Sequence, residues 1–365
     1  MLLKQYIDEA SVLIISQAIK NMAGYLCRSV TNSFDGRREI AFVNFSSPRC
    51  LRSRMEIIME RKKSYGLLIV GIVLLIASII WSKYAYSTSY QESLPVSEKL
   101  SSVNSQIKEI KKGEASGDLD ALTAEAAVLS DEKLRLERPY SYGLTLLFIA
   151  VALFLKGLYN ALVGAAASQK MDTTRMVQAG FLAALCYIGF AFCKIDIPVG
   201  AEKTAFHLGN VFCVLAALLL GGYWGGLAGA VGMTIGDLTT TYVTSAPKTF
   251  LLKLCIGLIV GLVAHKIFKL SRKHSAKFIT GATIVSCVCG LGFNVIADPL
   301  VGYFYKTYLL GVPQDASKLL AKMSAMTTLV NAIIAVIAAT IFYIALRPAL
   351  RKAGLFVQVT PEKAE

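Results

Sequence analysis

Between Phe206 and Gly261 two apolar runs meet at a glycine-rich corner, Leu219-Leu-Gly-Gly-Tyr-Trp-Gly-Gly, and the second run keeps a small residue at every fourth position. Gly222, Gly226, Ala230 and Thr234 form one stripe, shadowed by Gly221, Gly225 and Gly229 and extended by Gly232 and Gly236. Residues four apart share a helix face, and small ones let neighbouring backbones approach closely, which is how helices associate in lipid. The chain is therefore expected to be embedded in a bilayer, with Gly222, Gly225, Gly226, Gly229, Gly232 and Gly236 as helix-packing positions. The stretch lacks the Lys-Ser/Thr of a phosphate loop, so it is not a nucleotide cradle.

Composition agrees: 55% hydrophobic residues and a mean hydropathy of +0.56 are too apolar for an ordinary soluble chain. The net charge of +14 is explained by Lys and Arg held at a cytoplasmic face, and no basic stretch interleaved with aromatics points to nucleic acid. The cysteines Cys186, Cys193, Cys213, Cys255, Cys287 and Cys289 lie in or beside apolar runs without zinc spacing and read as small core residues. There is no H-E-x-x-H and no pair of intramembrane carboxylates, so the reading contains no enzyme activity, no metal and no cofactor.

The chain divides into four parts. Residues 1–64 hold no span-length apolar run, and Met55 and Met59 each lead straight into Arg61-Lys62-Lys63; residues 1–54 are expected to be upstream sequence with no folded role. In 65–162, the spans Tyr65–Trp81 and Tyr142–Leu162 flank a polar segment. Within it Leu100, Val103, Ile107 and Ile110 repeat the spacing of Leu119, Leu122, Ala126 and Leu129 across a turn at Lys112–Asp118. That pattern predicts an extracellular antiparallel helical hairpin, a single solvated linker being the alternative. Residues 170–353 carry six runs: Met176–Phe192, Phe206–Leu220, Tyr223–Ile235, Phe250–Ile267, Phe278–Ala297 and Met323–Leu346. The second and third fall short of the ~20 residues that cross hydrocarbon comfortably. Residues 354–365 are a cytoplasmic tail. The loop with Lys266, Lys269, Arg272, Lys273 and Lys277, together with Arg347, Arg351 and Lys352, puts both termini inside after eight spans of a cell-membrane protein.

From Arg175 onward the order of features resembles the substrate-binding (S) component of an energy-coupling factor (ECF) vitamin transporter. The features are the small-residue helix from Met176, the Ile197-Pro198 loop, His207-Leu-Gly-Asn210, the glycine corner, Gly236-Asp237-Leu238, Pro247-Lys-Thr-Phe-Leu-Leu-Lys253, Gly257-Leu-Ile-Val-Gly261 and Val330-Asn331. The resemblance implies an all-α, six-helix bundle, here preceded by the two-span module, that binds a water-soluble vitamin or precursor near the extracellular side. It implies as partners a transmembrane coupling protein and two cytoplasmic ATPases. It also implies a coupling-protein docking face on the first helix, which Ala179 and Ala183, flanked by Gly180 and Ala184, match. The two-span module is not part of that pattern, and its role stays unassigned.

By topology, the outer helix ends gather His207, Asn210, Asp237, Lys253, Asn294 and Asp298, with Tyr303 and Tyr305 nearby and Asn331 deeper. Polar groups at membrane depth are costly and face a cavity or one another. The substrate-binding candidates are therefore His207, Asn210, Asp237, Lys253, Asn294, Asp298, Tyr305 and Asn331. Lys253 calls for a carboxylate, Asp237 or Asp298, or a ligand anion. Simpler roles stand beside these: Asp237 ending a helix, Asp298-Pro299 making a turn, Lys253 snorkelling. Lys248 reads as a solvated residue at a helix start marked by Pro247. The rival functions are a solitary secondary transporter, disfavoured because the two halves of the six-run domain show no repeat, and a receptor or assembly protein built on the external hairpin. The receptor reading makes the N-terminal module essential, whereas the transporter reading has residues 170–365 binding ligand alone.

Overall fold

The computed structural model describes residues 48–163 and 173–359, with side chains for 66–157 and 173–359. Most of the expected upstream segment, 1–47, and the link around Lys170 lie outside the described residues, as does the tail beyond 359. Helix α1 (Pro48–Ala85) runs through a π-helical turn, Tyr86–Tyr90, into α2 (Gln91–Lys112). Gly113 ends α2 in the left-handed region (φ 77°), which glycine adopts without a Cβ clash. Asp118 then starts α3 (Leu119–Val163), its carboxylate accepting the amides of Asp120 and Ala121 at 3.0 Å each. Helices α2 and α3 pack as an antiparallel hairpin around Leu100, Val103 and Leu129, with Ile107, Leu122 and Ala126 at the margin.

Six further helices follow. They are α4 (Thr173–Ala191), α5 (Gly209–Leu220), α6 (Gly222–Thr239), α7 (Ala246–Gly261), α8 (Ala276–Phe304) and α9 (Gln314–Lys352). Between α4 and α5 lies a feature absent from the sequence expectation, an antiparallel β-hairpin of β1 (Lys194–Val199) and β2 (Glu202–His207). The expected apolar span from Phe206 therefore begins only at Gly209. The two-residue turn has Gly200 at its first central position with φ 63°, the sign a type II′ hairpin turn requires there.

Helix α5 is the axis of the bundle: every residue but Phe212 is buried. A helix apolar all round belongs inside other helices. The glycine helix α6 serves three of its neighbours at once. A Cβ on Gly225 would sit 2.4 Å from the backbone of Ala216 in α5, and one on Gly229 would sit 2.4 Å from Cys213 Sγ. Gly232 comes as close to the Ala183 carbonyl of α4, and Gly236 abuts Phe190. Toward α7, Gly222 and Gly226 meet Gly261 and Gly257 with almost nothing between the backbones.

Among the described residues, six helical runs are long and apolar enough to cross a membrane: Gly66–Lys112, Leu119–Gly157, Thr173–Ala191, Val243–Ile267, Ala276–Leu309 and Gln314–Lys352. Helices α5 and α6, two of the eight expected spans, are not among them. At 12 residues α5 is about 18 Å long. Helix α6 loses hydropathy to the glycines that let it pack and to Tyr223, Trp224 and Asp237.

Candidate functional site

The ends of β2 and α5–α9 nearest the α2–α3 hairpin line a cavity of about 100 Å³. Of the sequence candidates, His207, Asn210, Asp237, Lys253, Asn294, Asp298 and Asn331 line it. Tyr305 does not. It is buried against Tyr140, Leu144 and Leu310, with Phe148 edge-on at 6.3 Å, so it packs the N-terminal module onto the bundle instead of facing the cavity.

The partners of the lining residues are specific. Lys253 Nζ donates to Asn210 Oδ1 at 2.9 Å, an amide where a carboxylate had been expected. Asp298 instead takes Lys248, at 2.9 Å, with Ser324 and Thr328 (3.2 Å) donating to its other oxygen. Lys248 is thus no solvated end residue but is buried in the cavity wall, because Asp298 sits on α8 within its reach. Both ends of the Asn331 amide are committed to β2: Oδ1 accepts from the His207 amide and Nδ2 donates to the Ala205 carbonyl, each at 3.0 Å. Asn331 therefore ties α9 to the β-hairpin. Asp298 sits in a continuous helix carrying Pro299, so the pair makes no turn.

Three buried polar atoms of the lining residues have no hydrogen-bond partner among the described residues: His207 Nδ1, Asp237 Oδ2 and Asn294 Oδ1. Burial, and then Lys253, pull the His207 pKa down to about 3, so its imidazole is neutral and packs edge-on against Phe190 at 5.0 Å. Lys253, with three N–H donors and one of them on Asn210, has two to offer. Together these atoms suit a polar ligand that presents N–H or O–H groups to Asp237 and Asn294 and an acceptor to Lys253. Phe190 and Tyr242 are the aromatic lining residues, and Tyr242 is held by Asp196 at 3.0 Å.

The sequence reading missed Ser324 and Thr328 in the cavity wall, and Lys306 beside them. A signal existed: Ser324, Thr327, Thr328 and Asn331 form a polar stripe at helical spacing around the start of an otherwise apolar run. His265, just before the basic loop, is buried, 3.0 Å from Ser271 Oγ and 3.2 Å from the Ala217 carbonyl. On α4, Ala179 and Ala183 pack against the bundle core, whereas Gly180 and Ala184 are exposed beside Val177, Phe181 and Ile188.

The fold and cavity define a multi-pass membrane protein with a polar cavity at one end of a helical bundle. Residues 170–348, just under half of the chain, match the family model "ECF-type riboflavin transporter, S component", so the six-helix portion is similar to an ECF S component, and the long apolar helices fit a multi-pass membrane protein. An S component of this kind is a vitamin-transporter subunit that works with an ECF module. An uncharacterized protein in a gap 3'region of Pyrococcus woesei is 29% identical over 108 residues, spanning 30% of this chain and 69% of that protein. No solved structure matches.

Proposed function

We propose that the protein is the substrate-specific subunit of an ATP-driven ECF importer, and that residues 170–353 bind a water-soluble vitamin or precursor in the cavity between β2 and α5–α9. The observation that carries this is the convergence of Lys253, Asp237, Asn294 and His207 on one cavity, three of them with an unpaired buried atom. Buried polar groups cost free energy unless satisfied, so such a set fits a polar guest better than a packing core. The family description makes riboflavin the first ligand to test.

The basic end supports the orientation. Arg347 donates to the carbonyls of Leu270 and Arg272 at 2.7 Å, which gathers the Lys/Arg-rich loop and the end of α9 on one side, opposite the cavity. That side is the cytoplasm by the bias of Lys and Arg toward inner loops, leaving the cavity and the helical hairpin outside and the termini within. The partners in this reading are a transmembrane coupling protein, docking on the exposed face of α4, and two ATPases.

The test is a riboflavin fluorescence-quenching titration of the full chain in nanodiscs. Saturable quenching is expected, weakened at least tenfold by Lys253→Ala and by Asn294→Ala. A folded protein that leaves riboflavin fluorescence untouched would remove riboflavin as ligand.

A further inference from the structure

We propose that the N-terminal module is a wall of the ligand site, with Lys133 as the positioning residue that fixes β1–β2 over the cavity; this rests on the reading of that cavity as the ligand site. Lys133 lies on α3 and is only 7% exposed. Its ammonium is 2.7 Å from Glu202 Oε1, 3.2 Å from Glu137 and 3.3 Å from the Ala201 carbonyl. The second oxygen of Glu202 meets Lys306 Nζ at 2.5 Å. Lys133, Lys306, Glu202 and Glu137 thus form one buried group of acidic and basic side chains. Charges withdrawn from water hold such a geometry only while each has its partner. Burial alone would raise the Glu202 carboxyl, but Lys133 and Lys306 reverse this and hold it well below the ordinary range, so it stays ionised.

Glu202 opens β2, and the next three residues, Lys203, Thr204 and Ala205, line the cavity. Lys306 lines it from the π-helical turn after α8. Lys133 therefore reaches the cavity from two sides through one carboxylate. Other contacts point the same way. Ala201 inserts against the apolar core of the α2–α3 hairpin, and Asn104 Nδ2 donates to the Gly200 carbonyl at 2.9 Å. The Tyr90 and Tyr140 hydroxyls donate to the carbonyls of Leu310 (2.8 Å) and Leu309 (3.1 Å). Each link ends on the β-turn or on the α8–α9 connection. Of the charged groups on the hairpin, Lys133 and Glu137 are buried toward the cavity rim, while others such as Lys99, Lys108 and Glu109 stay exposed.

The test uses the full chain in nanodiscs and follows hydrogen–deuterium exchange of residues 194–207 by mass spectrometry. Lys133→Met keeps the shape and removes the charge; Lys133→Arg keeps both charge and reach. Lys99→Ala, which breaks the exposed 2.9 Å pair with Glu125 on the same hairpin, is the control. Exchange in β1–β2 is expected to rise at least tenfold in Lys133→Met, with residues 119–130 unchanged, and to stay at the wild-type rate in Lys133→Arg and Lys99→Ala. Riboflavin dissociation is expected to accelerate at least tenfold in Lys133→Met. Unaltered β1–β2 exchange in that variant overturns the proposal, as does faster exchange with an unaltered dissociation rate. If the wild-type chain does not bind riboflavin, the choice of ligand fails, and the exchange at Lys203–Ala205 alone decides whether Lys133 fixes the wall.

Discussion

Asp298 collects more of the candidate site than any other side chain, accepting from Lys248, Ser324 and Thr328. Removing one member of a buried ion pair strands the other charge, at a cost of about 3–5 kcal/mol, whereas replacing both with apolar groups is close to neutral. Asp298→Ala should therefore lower the thermal stability of the detergent-solubilised protein sharply, and Lys248→Met with Asp298→Leu should recover most of it. A single variant as stable as the wild type would mean that Lys248 has another acceptor. Sequence could place Asp298 among the polar residues of the site because a carboxylate beside an apolar run is conspicuous. It could not supply the partner, since Lys248 follows a helix-start proline and such residues are ordinarily solvated. The converse holds for Asn331, whose polarity was legible but whose two hydrogen bonds to β2 were not.

Helix α6 shows what small residues do at the scale of an element. Gly261 and Gly257 on α7 face Gly222 and Gly226 so closely that an added Cβ would lie 2.1 Å from a Cα. Overpacking of this kind costs about 1–3 kcal/mol. Gly261→Ala is expected to lower the melting temperature, while Gly281→Ala, where a Cβ meets nothing within 4 Å, should leave it unchanged or raise it slightly. Equal melting temperatures for the two variants would show that α6 and α7 separate at little cost. The glycine spacing announced tight packing, but not that successive glycines address different neighbours, α5, α7 and α4. The β-hairpin was lost for a different reason: its second strand, ending in Ala205-Phe206-His207, runs without a break into the apolar α5, and only the Gly200-Ala201 turn separates the signals. The π-helical turns at Tyr86–Tyr90, Leu262–Ile267 and Tyr305–Leu309 have no mark in the residue pattern that we can name.

For the whole molecule, the coupling-protein docking proposed above falls on the exposed face of α4. Gly180 and Ala184 are exposed on it, whereas Ala183 packs against the bundle core and its carbonyl lies against Gly232. Ala184→Trp is expected to abolish co-purification of the coupling protein from native membranes while leaving riboflavin quenching intact; undiminished co-purification would put the docking surface elsewhere. The six-helix organisation was legible because each run is bounded by charge or glycine, and the span count was uncertain only where α5 and α6 are short. Those two helices carry a consequence for biogenesis. Helix α5 is walled by α4 and α6 but also by α7 and α9, both of which follow it in the chain. During synthesis it emerges before half of its enclosure exists, too short to hold a transmembrane position alone. Assembly of the bundle must therefore wait for α9, and the centre of the protein is the last part of it to be protected.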